Sequence, residues 1–168
     1  MPDAIDTIVG QWSKERPDLA DALWPVQLLG RAQRLARFAD KSAKEIAAKH
    51  GVEHGEFDVL STLQRSGPPY TLTAGALLKA AMVTSGAITN RIDRMEAKGL
   101  VERVRDGEDR RTVQIRLTSQ GHEVMSHIIS DHLANYARLL ADVDRETCTR
   151  TADGLRAVLE ALGDASLR

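Results

Sequence analysis

Between Thr73 and Leu117 the hydrophobic rhythm of the chain changes twice, and this limits the fold more than any other feature. Thr73 stands as a cap before a short helix, Ala74 to Lys79. A tight Ala81-Met82-Val83 connection leads into a second helix, Thr84 to about Lys98, stopped at Gly99. Leu100–Val104 and Thr112–Leu117 then read as strands, because Val113, Ile115 and Leu117 alternate with Thr112, Gln114 and Arg116. The turn between them, Arg105 to Arg111, is polar apart from Gly107. Two helices across a tight turn, followed by a two-stranded hairpin with a charged tip, leave no room for βαβ alternation.

Helical spacing dominates on both sides. Ile5, Ile8, Val9 and Trp12 form one stripe on a short helix over residues 3–13. Pro17 and Asp18 punctuate, with Asp18 a possible cap. A long helix follows from about Leu19 to Lys49, or from Pro25 if the proline sits in its first turn. Residues 54–65 give the next helix, ended by Ser66-Gly67-Pro68-Pro69. Thr118-Ser119 restarts helix for about six turns, and a last helix from about Arg145 carries Leu155, Val158, Leu159 and Leu162 at i, i+3, i+4, i+7. A chain of 168 residues has little core against which to bury such long terminal helices. Their natural partner is a second copy, so a homodimer is expected. The division expected is 1–52 and 119–168 for dimerisation helices and 53–118 for the middle unit.

Charge is partitioned along the chain. The formal net charge is −1, yet residues 79–116 carry nine basic and six acidic side chains, +3, against −4 for the remainder. Such a local excess suits phosphate, whereas the overall balance excludes a polybasic coat. The helix starting at Thr84 reads Thr84-Ser85-Gly86-Ala87-Ile88-Thr89-Asn90-Arg91. Small and hydroxyl side chains at a helix N-terminus let backbone approach DNA closely. Thr89, Asn90 and Arg91 offer donors and acceptors to major-groove edges, while Ile88, Ile92 and Met95 face the core. The expected DNA contacts are Thr84, Ser85, Gly86, Ala87, Thr89, Asn90, Arg91 and Arg94, with Arg110 and Arg111 entering or straddling a minor groove from the hairpin tip. Asp109 can hold one of those two arginines while the other reaches out. A merely capped, solvated helix start is the plainer reading.

Residues 73–121, TAGALLKAAMVTSGAITNRIDRMEAKGLVERVRDGEDRRTVQIRLTSQG, resemble the MarR family of winged helix-turn-helix repressors. The resemblance is carried by Ser85 to Glu96, Lys98-Gly99-Leu100-Val101, Asp106-x-x-Asp109-Arg110-Arg111 and Leu117-Thr118-x-x-Gly121. Ala74-Gly75-Ala76-Leu77 departs from it, since many members have an acidic residue there. It implies a mainly α fold with a small β-hairpin wing, flanked by N- and C-terminal dimerisation helices. It also implies a homodimeric regulator on a pseudo-palindromic double-stranded DNA operator, released by a small ligand or by oxidation.

Trp12 with Glu15-Arg16-Pro17-Asp18, Phe57-Asp58-Val59-Leu60, Arg65-x-Gly67-x-Pro69-Tyr70 and Val83-Thr84-Ser85-Gly86 further resemble the urate-responsive branch. That branch implies ligand-binding roles for Trp12, Asp58, Arg65 and Arg103 and a urate-like effector. The chemistry is coherent. Asp58 and Arg65, seven apart, lie about 20° from the same side of a helix. Two arginines can bracket a planar anion, and a tryptophan offers it a flat face. Asp58 is then expected to pair with an arginine when the ligand is absent. The alternatives are Trp12 as core filler, Asp58 and Arg65 as a structural ion pair, and Arg103 as a phosphate contact.

Other classes are disfavoured. The chain carries no GxSxG, P-loop, HExxH or GxGxxG pattern, so no catalytic residue and no cofactor is expected. His50 and His54 are separated by Gly51, and His122, His127 and His132 are spread around a helix by their spacing of five, so no metal site is expected. Cys148 is the single cysteine, which leaves oxidation sensing a minor alternative. A helical adaptor would explain the long helices but not the Thr84–Ala87 helix start. No apolar run approaches the ~18–20 residues of a membrane span, and the N-terminus has no signal-peptide pattern, so a cytoplasmic setting is expected.

Overall fold

The computed structural model describes residues 1–80, 88–105 and 113–164. Residues 1–43 form one compact unit and residues 44–168 a second. In the first, α1 (Ala4–Glu15) opens on Asp3, whose carboxylate accepts from the backbone N–H groups of Ile5 and Asp6 while Asp6 accepts from Asp3. Arg31 binds both carboxylates, at 2.9 and 2.8 Å, and fastens α1 to helix α2 (Trp24–Lys49).

Of the two expected starts for the long helix, the structure takes the later and not Leu19: Pro17–Ala22 is a 3₁₀ turn, and α2 begins at Trp24. Pro25 then falls in the first turn, where a missing N–H costs nothing. Asp18 does not cap a helix; its carboxylate pairs with Arg16 at 2.7 Å.

The second unit contains α3 (His54–Arg65), β1 (Thr71–Thr73), α4 (Ala74–Ala80), α5 (Ile88–Ala97), β2 (Val101–Arg105), β3 (Val113–Leu117), α6 (Ser119–Leu139) and α7 (Arg145–Ala161). The sheet has three strands, in the order β1-β3-β2, not the expected two. Thr71 to Thr73 pair antiparallel with Arg116 to Gln114 on the far edge of β3. Three residues are too short to show a period, and Thr73 also caps α4 by accepting from the Ala76 N–H. The expected hairpin is present in register, Val101 opposite Leu117 and Arg105 opposite Val113.

The core joins Leu60 and Leu63 of α3, Leu77 of α4, Ile92 and Met95 of α5, Ile115 of β3 and Met125 and Ile128 of α6. Thr118 caps α6 by accepting from the Gly121 N–H. A Cβ at Gly121 would run into the Leu100 carbonyl, so glycine here lets α6 start flush against the sheet. Thus α5 is packed on one face, with the sheet extending beside it. By contrast α7 buries none of its side chains within the chain. Among the described residues no helix is long and apolar enough to cross a membrane.

Candidate functional site

Helix α5 is anchored by Ile88, Ile92 and Met95, which are buried at i, i+4 and i+7. The opposite face is left to solvent: Thr89 and Asn90 are exposed. The preceding candidates Thr84, Ser85, Gly86 and Ala87, and the hairpin-tip candidates Arg110 and Arg111, lie outside the described residues.

The two arginines of α5 turn back onto α3. The Arg91 guanidinium lies over Gly55, at a place a Cβ would occupy. Its Nη1 is buried and finds no hydrogen-bond partner. Arg94 donates to Glu53 at 2.9 Å, with its Nε 3.5 Å from Glu56. One turn on, Lys98 donates to Glu56 at 2.7 Å and to the Gly51 carbonyl at 3.1 Å. Glu56 is fully buried, and it also accepts from the Glu53 N–H at 2.9 Å. Burial raises the Glu56 carboxyl pKa, but the hydrogen bonds from Lys98 and Glu53 and the charges of Lys98 and Arg94 outweigh it. The net direction is below the ordinary carboxylate range. A carboxylate so held clamps the C-terminal end of α5 to α3.

Sequence reading missed Glu56. Its one signal is local: Glu53 and Glu56 stand three apart at a helix start, the spacing of a reciprocal cap. That Lys98, 42 residues on, would neutralise it is a matter of tertiary approach.

The candidate effector residues fall in both units. Trp12 is on α1 with 52% of its surface exposed. Asp58 is half-buried on α3, one turn before Thr62, whose hydroxyl donates to the Asp58 carbonyl at 2.7 Å. Arg65 is exposed at the end of α3 and donates to the Thr62 hydroxyl at 3.2 Å and to the Ala80 carbonyl that ends α4. Arg103, on β2, carries two carboxylates of α5, Asp93 and Glu96, and its N–H donates to Glu96 at 3.2 Å. The hydrogen bond to Asp93 leads, and together these acids reinforce the charged guanidinium against partial burial. Arg103 thus ties the hairpin to the recognition-helix candidate, a role that its position alone did not announce.

His132 is buried between Phe57, at 5.1 Å between ring centres, and Tyr136, at 4.1 Å. Burial, then the nearby His54, lowers its pKa. His50 meets Asp131 at 3.1 Å. No group of three His, Cys, Asp or Glu among the described residues is placed to hold a metal.

Comparison with known proteins agrees with this architecture. A family model described as the MarR family matches residues 50–112. The HTH-type transcriptional regulator PecS of Dickeya dadantii is 32% identical over 92% of this chain and 90% of its own length. The crystal structure of the regulator BldR of Sulfolobus solfataricus superposes with a TM-score of 0.69 at 26% identity, covering 83% of this chain and 97% of that one. The organohalide-sensing regulator RdhR, in its 2,4-dichlorophenol-bound form, gives a TM-score of 0.70 over 80% of this chain and 79% of its own, at 16% identity. These relatives are transcription regulators rather than enzymes. With its packed α5, its sheet and its near-full-length likeness to a known regulator, the chain belongs to the MarR family of DNA-binding transcriptional regulators.

Proposed function

We propose that this regulator is a homodimeric repressor whose hold on a pseudo-palindromic operator is released by a small planar anion of the urate type. Segments 1–52 and 119–168 serve dimerisation, and 53–118 reads DNA. Thr84 to Ala87, Thr89, Asn90, Arg91 and Arg94 lie in or against the major groove, with Arg110 and Arg111 on the hairpin side. Dimerisation is supported by α7 and its C-cap, where Leu159 and Leu162 are 45% and 74% exposed although their spacing is that of a buried face.

The observation that carries the effector reading is the bond between Arg103 and the α5 acids Asp93 and Glu96. An anion that takes Arg103 competes with both carboxylates and so loosens the hairpin's hold on α5. Arg65 supplies a second cation, Trp12 an exposed ring, and Asp58 a like charge that the anion repels. A ligand acts only through its differential affinity for the two arrangements, and a coupling of about 1–3 kcal/mol weakens DNA binding roughly 5- to 150-fold.

The test is DNA titration with and without urate, using the promoter region of the protein's own gene. Release of wild type, with Arg65→Ala and Trp12→Phe still bound but resistant to release, supports the reading. Equal release of Arg65→Ala and wild type sinks the site. Release by 2,4-dichlorophenol but not by urate replaces the effector class with a phenol, the kind of ligand bound in the RdhR structure.

A further inference from the structure

The start of α3 holds a side chain that a DNA-reading helix needs free. Arg94 donates to Glu53 at 2.9 Å. It also approaches Glu56, but the two glutamates are not equivalent. Glu56 is buried and keeps Lys98 at 2.7 Å and the Glu53 N–H at 2.9 Å. Glu53 is 61% exposed, and Arg94 opposite it is 46% exposed. Their bond faces water and is cheap to break. When Arg94 leaves, Lys98 still neutralises the buried carboxylate, so no charge is stranded in the core. The two acids at this helix start also favour the positive end of the α3 dipole, which would otherwise repel an arginine.

We propose that Glu53 is an internal stand-in for a DNA phosphate: it holds Arg94 against α3 in the free protein, and the DNA backbone takes Arg94 from it on binding. A carboxylate and a phosphate present the same kind of charged oxygen to a guanidinium, so the exchange is one ion pair for another. Glu53 therefore sets how much affinity Arg94 adds, although it touches no DNA itself. This inference rests on the reading of α5 as the helix that meets DNA.

Phosphate binding is independent of sequence, so a mixed-sequence duplex of about 30 base pairs is a sufficient probe. The full chain is titrated between about 50 and about 200 mM salt as wild type, Glu53→Gln, Arg94→Ala and the double variant, with helicity checked by circular dichroism. Glu53→Gln is expected to bind about two- to five-fold tighter at low salt, an advantage that fades as salt screens the pair. Arg94→Ala is expected to bind more weakly, with a salt slope shallower by about 0.9 for each phosphate it no longer neutralises, and Glu53→Gln then adds nothing. If Arg94→Ala weakens binding but Glu53→Gln equals wild type, Arg94 meets DNA without being held back, and the proposal alone fails. If Glu53→Gln tightens binding equally with and without Arg94, the effect is general charge removal and the proposal is overturned. If Arg94→Ala changes neither affinity nor slope, the placing of Arg94 on DNA fails, and the proposal with it.

Discussion

Helices α5 and α7 carry the same kind of apolar stripe and meet opposite fates. Ile88, Ile92 and Met95 on α5 are all buried within the chain. Leu155, Val158 and Leu159 on α7, with Leu162 at its C-cap, also follow a helical spacing, and none is buried. Periodicity says that a face is meant to be covered, not by what. For α5 the cover is α3 and the sheet; for α7 a second copy is the proposed cover. The polar faces differ as well. That of α5 is tied down by ion pairs to Glu53, Glu56 and Arg103, whereas Asp153 of α7 pairs only locally, with Arg156 at 2.6 Å. The proposed roles fit this difference: a helix that reads DNA has to be held in position, and a helix that meets a second copy has to be left open.

The sharpest way to break this comparison is to charge the α7 stripe. Leu155→Asp with Leu159→Asp should abolish dimerisation and lower DNA affinity at least ~100-fold, because a half-site alone retains little of the dimer's hold. Native mass measurement and DNA titration check it. A dimer that survives both charges would show that α7 is covered some other way.

The clamp on α5 is the next test. Glu56→Gln keeps the shape but leaves Lys98 without its buried counter-charge, and should cost about 2 kcal/mol in urea unfolding. The same substitution on the α7 side, Asp153→Asn, should cost less than about 0.5 kcal/mol. Equal costs would remove the distinction between a held helix and an open one.

Acid should act on the held region by two routes. His132 has a lowered pKa in the fold, so the unfolded chain binds its proton first. Its contribution is complete above about pH 6.5 and is lost as pH falls toward the lower native value. Glu56, also lowered, keeps its contribution down to the ordinary carboxylate range and loses it only below. Stability should therefore begin to fall below about pH 6.5, and His132→Gln should delay that fall to the carboxylate range. Thermal melts from about pH 4 to about pH 8 read it. An unchanged profile in His132→Gln would place the proton elsewhere.

The smallest expected effect is Gly55→Ala. The added methyl takes the place of the Arg91 guanidinium, the far end of a flexible side chain, and alanine suits a helix better than glycine by about 0.5–1 kcal/mol. Stability should stay level or rise slightly, while displaced Arg91 tightens binding to duplex DNA by about two-fold. Weaker binding would mean that Arg91 contributes from its place against α3.

Local patterns along the chain were enough for the order of elements. Residues 54–65, the strands on either side of the 105–111 turn and the restart at Thr118 were all legible, because caps, breakers and apolar period act within a few residues. The outward face of α5 was marked too, since a stripe that is buried defines what is left over. Those patterns did not show the third strand, Thr71–Thr73, whose hydrogen bonds go to residues more than 40 positions away. They left the start of α2 open between Leu19 and Pro25, and the 3₁₀ turn over Pro17–Ala22 puts it at Trp24. The charge pairing emerged only in the folded chain: Arg103 with Asp93 and Glu96, Arg94 with Glu53, and Lys98 with the buried Glu56. A charge in sequence has many possible partners of nearly equal energy in water. Which one it meets is settled by the packing of the backbones that carry them, and that packing is driven by apolar burial to which the charges contribute little.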